Sequence, residues 1–294
     1  MFDDIDGSHV SLSIVWQFCS LMRNFELDPQ QLTEQIREMA PWHHDIVLFD
    51  DFSTGKVFSP DGRLTKDKNG EVSLISPKPK FFRQLKALYP DGMKGARFLD
   101  CACNGGGYCF LAREYGCDSA TGFDVRKHWI DQARFVQKHR TAGPTDNIDF
   151  HVLDLYDVPK QDFPQADFTY FSGIFYHLPD PVTGLKIAAD LTKDIILVNT
   201  AMILDPNNPR GMTMAKESRT KVMSGVHELS WFPNGQETLV DILRWMGFVD
   251  FKVTMFNKNK AIERPGLARR SRIEIVASRQ KGRLENLEGE TPPL

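Results

Sequence analysis

The sequence predicts an α/β fold: a doubly wound sheet of seven mostly parallel strands that ends in an antiparallel hairpin. Two observations predict it. From residue 79 onward, short apolar runs alternate with longer amphipathic stretches, which is typical of stacked βαβ units. The two apolar runs that close the chain, at 248–255 and 272–277, have the pattern of an antiparallel hairpin with a long connection.

The order of these runs gives the order of the elements. We expect strands at 97–100, 120–124, 148–153, 168–172 and 195–199. We expect helices at 81–89, 108–114, 129–139, 181–191 and 236–246. A buried strand that ends in an acidic residue and continues through a glycine-rich turn into a helix makes the predicted sheet Rossmann-like.

The residues before this alternating pattern have a different character. Apolar side chains recur at helical spacing between residues 8 and 40, and Asp28-Pro29 has the pattern of a helix start. Residues 42–48 resemble a short strand, and residues 50–79 are rich in Gly, Pro, Lys and Asp, which predicts a loop or hairpin.

These patterns divide the chain. We expect residues 1–79 to form an N-terminal helical and loop extension that covers a pocket. Residues 80–280 should form the main domain, with a lid inserted at about 205–235. Residues 281–294 are polar, and we expect them to be a mobile tail.

Composition excludes several classes of protein. The chain has 294 residues, 41% of them hydrophobic, and a formal net charge of −3. No apolar run is long enough to span a membrane, and the acidic N-terminus does not resemble a secretory signal. The balance of charge does not indicate a nucleic-acid binder. We therefore expect a cytoplasmic protein, and homo-oligomerisation stays open.

The cysteines indicate a reducing compartment. The chain has 5 cysteines, and four of them, Cys101, Cys103, Cys109 and Cys117, lie close together. A disulfide scaffold is not expected in a chain of this size, and the spacing lacks the paired C-x2-C pattern of a zinc site. We expect small packing residues around a strand end, and no metal.

One segment carries the strongest functional signal. Residues 98–108 read as a buried strand ending at Asp100, a turn through Ala102, Cys103, Asn104 and Gly105, and the start of a helix. Small residues allow the backbone to approach a ligand closely, and a helix N-terminus favours a negatively charged group. A plain strand-to-helix turn is the alternative.

Two more acids follow strand ends. Asp124, followed by Val125, ends the second strand and could accept both hydroxyls of a ribose. Asp154, followed by Leu155, ends the third strand and could bind the exocyclic amine of an adenine. Open α/β sheets bind ligands at this edge, so the acids point to one ligand. The alternative is that Asp124 and Asp154 only cap helices.

These residues resemble a known family. The segments LDCACNGGG, GFDV, HVLDLYDV and FTYFSGIFYHLPDP are similar to motifs I to IV of class I S-adenosylmethionine (SAM)-dependent methyltransferases. The resemblance covers roughly residues 80–280 and implies SAM as cofactor, with Ser172 and Gly173 of motif IV beside it. One departure is Ala102, which stands where the family has the first glycine of its turn.

A narrower resemblance is to the bacterial tRNA wobble-uridine 5-oxyacetic acid methyl- or carboxymethyltransferases. It rests on WHHDIVLFDD, SGIFYHLPDPVTGL and the run from Val226 to Val253. It implies that Tyr176 and an arginine, Arg272 or alternatively Arg270, hold a carboxylated SAM, with lysines near Lys56 and Lys80. Relatives of this family also use ordinary SAM on small molecules.

The resemblance places candidate catalytic residues at the rim where the methyl group should project. His177 follows the fourth strand and is the candidate general base if the acceptor is a hydroxyl, because imidazole titrates near neutrality. Tyr176 is a candidate for positioning the sulfonium or the substrate. The alternatives are that His177 only packs against the next loop and that Tyr176 only anchors it.

Substrate contacts should come from outside the sheet. The lid carries His227 and Glu228, a candidate acid–base pair, and Trp231, a candidate substrate contact. His43 is expected to close the other side of the pocket. Arg272 is a further candidate substrate contact, and the basic run 264–272 that it ends could touch phosphate, with a solvated turn as the alternative.

Together these observations predict an enzyme that methylates an oxygen atom of a small polar metabolite, such as a sugar or a natural-product intermediate. The first alternative is a tRNA wobble-uridine methyl- or carboxymethyltransferase that uses SAM or carboxy-SAM. The second alternative is a SAM-binding protein without transferase activity.

Overall fold

The computed structural model describes residues 28–59, 78–217, 224–258 and 270–290. These residues belong to two compact units, Met1–Pro41 and Trp42–Leu294. In the first unit, helix α1 (Pro29–Glu38) begins at a capping box: Asp28 accepts the Gln31 amide at 2.8 Å, and the Gln31 side chain accepts the Asp28 amide at 3.2 Å. The rest of the predicted N-terminal helical pattern, before residue 28, lies outside the described residues.

The second unit contains the sheets and the remaining helices. Its strands are β1 (Val47–Phe49), β2 (Phe52–Ser53), β3 (Arg97–Cys101), β4 (Ser119–Asp124), β5 (Ile148–Val152), β6 (Ala166–Ser172), β7 (Thr192–Ile203), β8 (Met212–Lys216), β9 (Leu229–Pro233), β10 (Asp250–Lys258) and β11 (Arg270–Ser278). Its helices are α2 (Thr54–Phe58), α3 (Lys78–Leu88), α4 (Gly107–Glu114), α5 (Lys127–His139), α6 (Pro181–Asp190) and α7 (Gln236–Trp245). Among the described residues, no helix combines the length and the apolar character needed to cross a membrane.

The main sheet confirms the predicted fold class. Its seven strands lie in the order β10-β11-β7-β6-β3-β4-β5. Strands β3 to β7 pair in parallel, and β11 is antiparallel to both β7 and β10. The fold is therefore a Rossmann-like, mostly parallel sheet with an antiparallel terminal hairpin.

The strand order creates a crevice. From β3 the chain adds β4 and β5 on one side, and it then returns to add β6 and β7 on the other side of β3. Connections between parallel strands are right-handed. Because the chain reverses the direction in which it adds strands, the loops after β3 and β6 diverge from each other. The ends of β3 and β6 therefore border the place where open α/β sheets bind ligands.

Alternation along the strands separates two apolar layers. On β3, Leu99 and Cys101 belong to a large core cluster that also includes Phe171, Val198 and Phe248. The alternate residues of β3, such as Phe98, face the other side of the sheet and contact an aromatic cluster there. In that cluster, ring centroids lie 5.7 Å apart for Phe81 and Phe98, 5.6 Å for Phe98 and Phe168, and 4.2 Å for Tyr108 and Tyr170.

The domain boundary differs from the predicted one. Residues 42–59 fall in the same compact unit as the sheet, whereas the sequence placed the boundary at residue 79. Backbone contacts account for this. The Leu48 carbonyl accepts the amides of Thr141 and Ala142 at 2.7 and 2.8 Å, and Arg140 Nε donates to the Val47 carbonyl at 3.1 Å. Most of the predicted loop, residues 60–77, lies outside the described residues.

The C-terminal residues also differ from the prediction. Residues 281–290 are not a free tail, because Leu284 and Leu287 are buried. The Leu284 amide donates to Asp250 at 3.1 Å, and Arg283 Nε lies 3.3 Å from Asp194. Two leucines in an otherwise polar segment are sufficient to anchor it. Residues 291–294 lie outside the described residues.

The turn before α4 requires glycine at position 106. Gly106 has a φ of +76°, and a Cβ added there would lie 2.5 Å from the buried Phe150 ring. We expect Gly106→Ala to lower the free energy of unfolding by about 2–4 kcal/mol, from backbone strain and overpacking together. Urea unfolding measures this.

The matched control is Gly95→Ala. Gly95 has a φ of +83° but no atom within 4 Å of an added Cβ, so only the backbone strain of about 1–2 kcal/mol should remain. Equal losses in the two variants would contradict the role of Phe150.

Candidate active site

A cavity of about 580 Å³ opens at the carboxyl edge of the sheet. Residues that follow β3, β4, β5 and β6 line it, because the carboxyl ends of parallel strands meet at one edge. Asp100, Asp124 and Asp154 all lie in its wall. The three strand-end acids thus face one cavity, as the sequence indicated.

The turn after β3 has a constrained backbone. Ala102 and Asn104 both have positive φ, +61° and +51°. The Cys103 amide donates to the Phe123 carbonyl at 2.9 Å, and the Asn104 amide donates to Asp124 at 3.2 Å. Glycine adopts this left-handed conformation readily, whereas alanine at position 102 adopts it at a cost in backbone strain.

The buried end of the turn carries acceptors without partners. Among the described residues, Asp100 Oδ2 and Asn104 Oδ1 are buried and have no hydrogen-bond partner. Burial raises the pKa of Asp100 well above its usual range, and the neighbouring Asp124 carboxyl raises it further. Two unsatisfied acceptors at this place fit a positively charged amino group, so the residues present suit the amino-acid end of SAM.

The other two acids, Asp124 and Asp154, already accept hydrogen bonds within the protein. Asp124 accepts the Arg126 amide at 2.9 Å as well as the Asn104 amide, and burial raises its pKa. Asp154 caps the following turn by accepting the Tyr156 amide at 2.9 Å. Its other oxygen lies 3.7 Å from His227 Nε2. Each carboxylate oxygen has two lone pairs, so both acids retain acceptors for a ligand.

Most of the residues predicted to bind the cofactor line this cavity. They are Asp100, Ala102, Cys103, Asn104, Asp124, Val125, Asp154, Leu155, Ser172 and Gly173. Gly105 is not among the described lining residues: a Cβ there would face Gln132 and Ile46. The predicted residues thus border one cavity, and Gly105 is the member of the turn that faces protein atoms instead.

His177 is held by an acid that the sequence did not single out. Its Nδ1 is hydrogen-bonded to Glu217 Oε1, and Glu217 Oε2 accepts the Gly225 amide at 2.8 Å. Because Glu217 accepts, Nδ1 carries the proton, and Nε2 keeps a free lone pair. Burial lowers the pKa of His177, while Glu217 opposes that shift.

The lid residues named by the sequence have separate positions. His227 lines the cavity and faces Asp154, whereas Glu228 is not among the described lining residues. Trp231 donates from Nε1 to the Pro179 carbonyl at 3.0 Å and also lies outside the lining. Of the predicted His227–Glu228 pair, only His227 is therefore among the described lining residues, and Trp231 holds a loop.

A polar network borders the end of the cavity that contains Tyr176. The Arg272 guanidinium lies 5.8 Å from the Tyr176 ring centroid, and its Nε donates to Asn199 at 2.6 Å. Asn199 donates in turn to Glu274 at 2.9 Å, and Lys80 forms an ion pair with Glu274 at 2.8 Å.

Glu274 is the centre of this network. Its carboxylate, 1% exposed, also accepts Gln84 at 2.6 Å and Thr254 at 2.7 Å. A buried carboxylate with several donors is well satisfied. Glu274 lies two residues from Arg272 on β11 and so faces the same side of the strand. That spacing is a signal by which the sequence could have indicated it.

Two adjacent histidines from the N-terminal part complete the wall. His43 and His44 line the cavity, as predicted for His43. Burial lowers the pKa of His43 to about 4, and Arg272 contributes to that shift. Burial also lowers the pKa of His44 well below its usual range, with a contribution from His43. Both imidazoles are therefore neutral near neutral pH.

Comparison with known families agrees with this geometry. The family model of the methyltransferase domain matches residues 93–249, more than half of the chain. The chain therefore belongs to the methyltransferase domain family. The predicted class, a SAM-dependent methyltransferase with a class I fold, is confirmed.

Curated relatives share one name. The tRNA U34 carboxymethyltransferase of Pseudomonas fluorescens (strain SBW25) is 27% identical over 177 residues, which cover 58% of this chain and 52% of that protein. The protein of that name from Nautilia profundicola is 33% identical over 88 residues, which cover 30% of this chain and 28% of that protein. The chain thus spans about half the length of the first relative and less of the second.

A solved structure is similar over most of the chain. The N-terminal domain of EvdMO1, crystallised in the presence of S-adenosylhomocysteine (SAH) and D-fucose, superposes on this chain with a TM-score of 0.63 at 16% identity. The match covers 86% of this chain and 97% of that domain. It supports the fold.

The buried Asp100 predicts a pH-dependent affinity. In the free protein its raised pKa favours the protonated carboxyl, and an ammonium group at Oδ2 would favour the ionised one. The bound state then holds fewer protons, so affinity for S-adenosylhomocysteine should rise with pH until the pH exceeds the raised pKa of Asp100 in the free protein. Calorimetry in buffers of different ionisation enthalpy should show proton release.

The variant Asp100→Asn should bind more weakly and lose this pH-dependent component. The control is Asp131→Asn, which removes an exposed partner of Lys127. An affinity that falls with rising pH, or an equal slope in Asp100→Asn, would contradict the assignment.

Proposed function

We propose that this enzyme transfers a methyl group from SAM to a hydroxyl oxygen of a small polar metabolite, such as a sugar or a natural-product intermediate. The observation that carries the proposal is His177, which lines the same cavity as the strand-end acids and is hydrogen-bonded to Glu217. A general base within the cofactor cavity is what methyl transfer to a hydroxyl requires.

The pair accounts for proton removal. The bond to Glu217 fixes the ring orientation and keeps the proton on Nδ1, so Nε2 can accept the acceptor's hydroxyl proton. Burial keeps the imidazole neutral, and Glu217 stabilises the imidazolium that forms. When bound, SAM supplies a methyl carbon on a sulfonium, and its leaving group departs uncharged.

Other residues align the reactants. Tyr176 stacks on Phe232 with ring centroids 6.0 Å apart and contacts Arg272, so it presents a fixed aromatic face to the cavity. Arg126 Nη2 donates to the Ser224 carbonyl at 2.9 Å and thereby holds the lid segment beside the cavity. Holding two reactants in line can contribute roughly 7–11 kcal/mol to lowering a barrier.

A second candidate function is carboxymethyl transfer to a tRNA wobble uridine. Arg272 favours it. Among the described residues, its only hydrogen bond uses Nε, so its terminal nitrogens can donate hydrogen bonds to a carboxylate. The curated relatives carry this activity in their name. The net charge of −3 favours the small-molecule acceptor, because nucleic-acid binding relies on basic surface.

The organisation of the rest of the chain follows the same proposal. His43 and His44 line the pocket, and so do residues 224–227, which belong to the described part of the segment that would act as its lid. The buried free thiols of Cys101, Cys103, Cys109 and Cys117 are compatible with a cytoplasmic setting. The small molecule is the expected partner.

The first test uses methyl-labelled SAM with a panel of sugars, hydroxylated natural products and bulk tRNA. We expect label on a small hydroxylated compound and a rise of activity with pH whose pKa lies below 6.5. His177→Ala should lower kcat by about 10²–10⁴-fold. Glu217→Gln should move the rising limb to lower pH, because Glu217 raises the pKa of His177.

The matched control is His151→Asn, a histidine of β5 that does not line the cavity among the described residues. Label found only on tRNA would favour the second candidate, and unchanged kcat in His177→Ala would exclude His177 as the base.

The second test concerns the donor. Mass spectrometry of the ligand that co-purifies with the protein should show SAM or S-adenosylhomocysteine, and Arg272→Ala should leave SAM affinity within about threefold. Carboxy-SAM in the wild type, with selective loss of its binding in Arg272→Ala and Tyr176→Phe, would instead support carboxymethyl transfer.

A further inference from the structure

The end of the cavity beside Tyr176 contains a buried anion that the proposed reaction does not use. The rings of Tyr176 and His177, the proposed base, have centroids 4.0 Å apart, so the methyl group is expected at this end of the cavity. Glu274 lines the same cavity and is 1% exposed. Because little water screens a buried charge, a carboxylate here influences which ligand binds.

Among the described residues, the Glu274 carboxylate is surrounded by hydrogen-bond donors. Oε1 accepts from the Gln84 amide at 2.6 Å and from the Thr254 hydroxyl at 2.7 Å. Oε2 accepts from the Lys80 ammonium at 2.8 Å and from the Asn199 amide at 2.9 Å. Ammonium and amide NH2 groups can only donate, and they occupy both oxygens, so this arrangement favours the ionised carboxylate.

Lys80 is the cation whose charge Glu274 cancels. Its Nζ lies 2.8 Å from Glu274 Oε2 and 3.7 Å from Met255 Sδ, and all three residues line the cavity. The Lys80 side chain is 42% exposed, so the ammonium group could turn toward a ligand only by leaving a carboxylate that is almost fully buried. A buried carboxylate without its counter-ion is strongly unfavourable. Lys80 therefore does not act as a free cation toward a ligand.

Glu274 also fixes a second cation, Arg272, through Asn199. The Asn199 amide nitrogen donates to Glu274, so the amide oxygen is turned toward Arg272, whose Nε donates to it at 2.6 Å. The guanidinium then lies 5.8 Å from the Tyr176 ring centroid, and its Nη2 would lie 3.5 Å from a Cβ added to Gly173. The network holds two cations and one anion, which leaves one positive charge at this end of the cavity.

The charges of this network act on other residues of the cavity wall. Burial raises the pKa of Tyr108 to about 12, and Glu274 contributes to the rise whereas Arg272 opposes it. Burial and, to a smaller extent, Arg272 lower the pKa of His43. Both residues line the cavity. A charged group on a ligand would experience the same two opposing charges.

We propose that Glu274 determines donor specificity: by neutralising Lys80, it makes the cavity favour SAM over a donor that carries an additional carboxylate. The inference rests on the proposed function and deepens it. A nearby carboxylate attracts the sulfonium cation of SAM and repels a second carboxylate. Glu274 acts through its charge and through the residues that it holds, without contact to the donor.

Calorimetry with SAM, carboxy-SAM and S-adenosylhomocysteine tests this role. The measured quantity is the ratio of the dissociation constant for carboxy-SAM to that for SAM, which should exceed one in the wild type. Glu274→Gln adds one net positive charge and should lower this ratio about tenfold or more. S-adenosylhomocysteine carries neither the sulfonium nor the extra carboxylate, so its affinity should stay within about threefold.

Lys80→Met changes the charge in the opposite sense. Three donors remain on the Glu274 carboxylate, which therefore stays ionised, and the ratio should rise about tenfold. The double variant restores the net charge and should return to the wild-type ratio. The matched control is Glu114→Gln, which removes the same charge from an ion pair with Lys78, and neither residue is among the described lining residues. Its ratio should equal that of the wild type.

The possible results separate the two levels of the argument. An unchanged ratio in Glu274→Gln with S-adenosylhomocysteine binding intact, or a shift in the same direction in both single variants, would overturn the role of Glu274 and leave the proposed function in place. If Glu274→Gln loses S-adenosylhomocysteine binding, Lys80→Met decides alone, and an unchanged ratio there overturns the inference. Wild-type protein that prefers carboxy-SAM, or that binds none of the three ligands, would refute the proposed function as well.

Discussion

The cavity edge of the sheet depends on one carboxylate, that of Asp124. It accepts the Arg126 amide at 2.9 Å and the Asn104 amide at 3.2 Å, so it joins the loop after β4 to the glycine-rich turn after β3. Parallel pairing brings the two strand ends together, and this carboxylate sets how the loops beyond them meet. Asp100 and Asp154 lie in the wall of the same cavity.

The opposite wall is built by a different principle. The chain beyond β7 folds as a separate antiparallel pair, β8 and β9, and its Glu217 reaches back to His177. Arg126, which belongs to the cofactor edge, also holds the Ser224 carbonyl of this segment. One residue, Arg126, therefore joins the strand-end side of the cavity to the segment that begins at Ser224.

Local pattern was sufficient for much of this architecture. A strand end, a glycine-rich turn and a helix start are neighbours in sequence, so Asp100, Asp124 and Asp154 could be assigned to one edge. Glu217 could not, because it meets His177 only through tertiary folding. The sequence favoured Glu228 because it adjoins His227, yet the hairpin places Glu228 opposite Glu217, whose amide donates to its carbonyl at 2.8 Å. The buried leucines after residue 280 were missed because polar neighbours dominate that segment.

The left-handed Ala102 has a consequence for how free energy is divided between folding and recognition. A non-glycine residue in this conformation costs about 1–2 kcal/mol. Hydrogen bonds from the Cys103 and Asn104 amides to β4 already hold the turn in this conformation. The free energy of the strained backbone is therefore spent when the chain folds. The turn is therefore preorganised: no free energy is spent on ordering it when a ligand binds. Affinity increases as a result, while the stability of the folded state decreases.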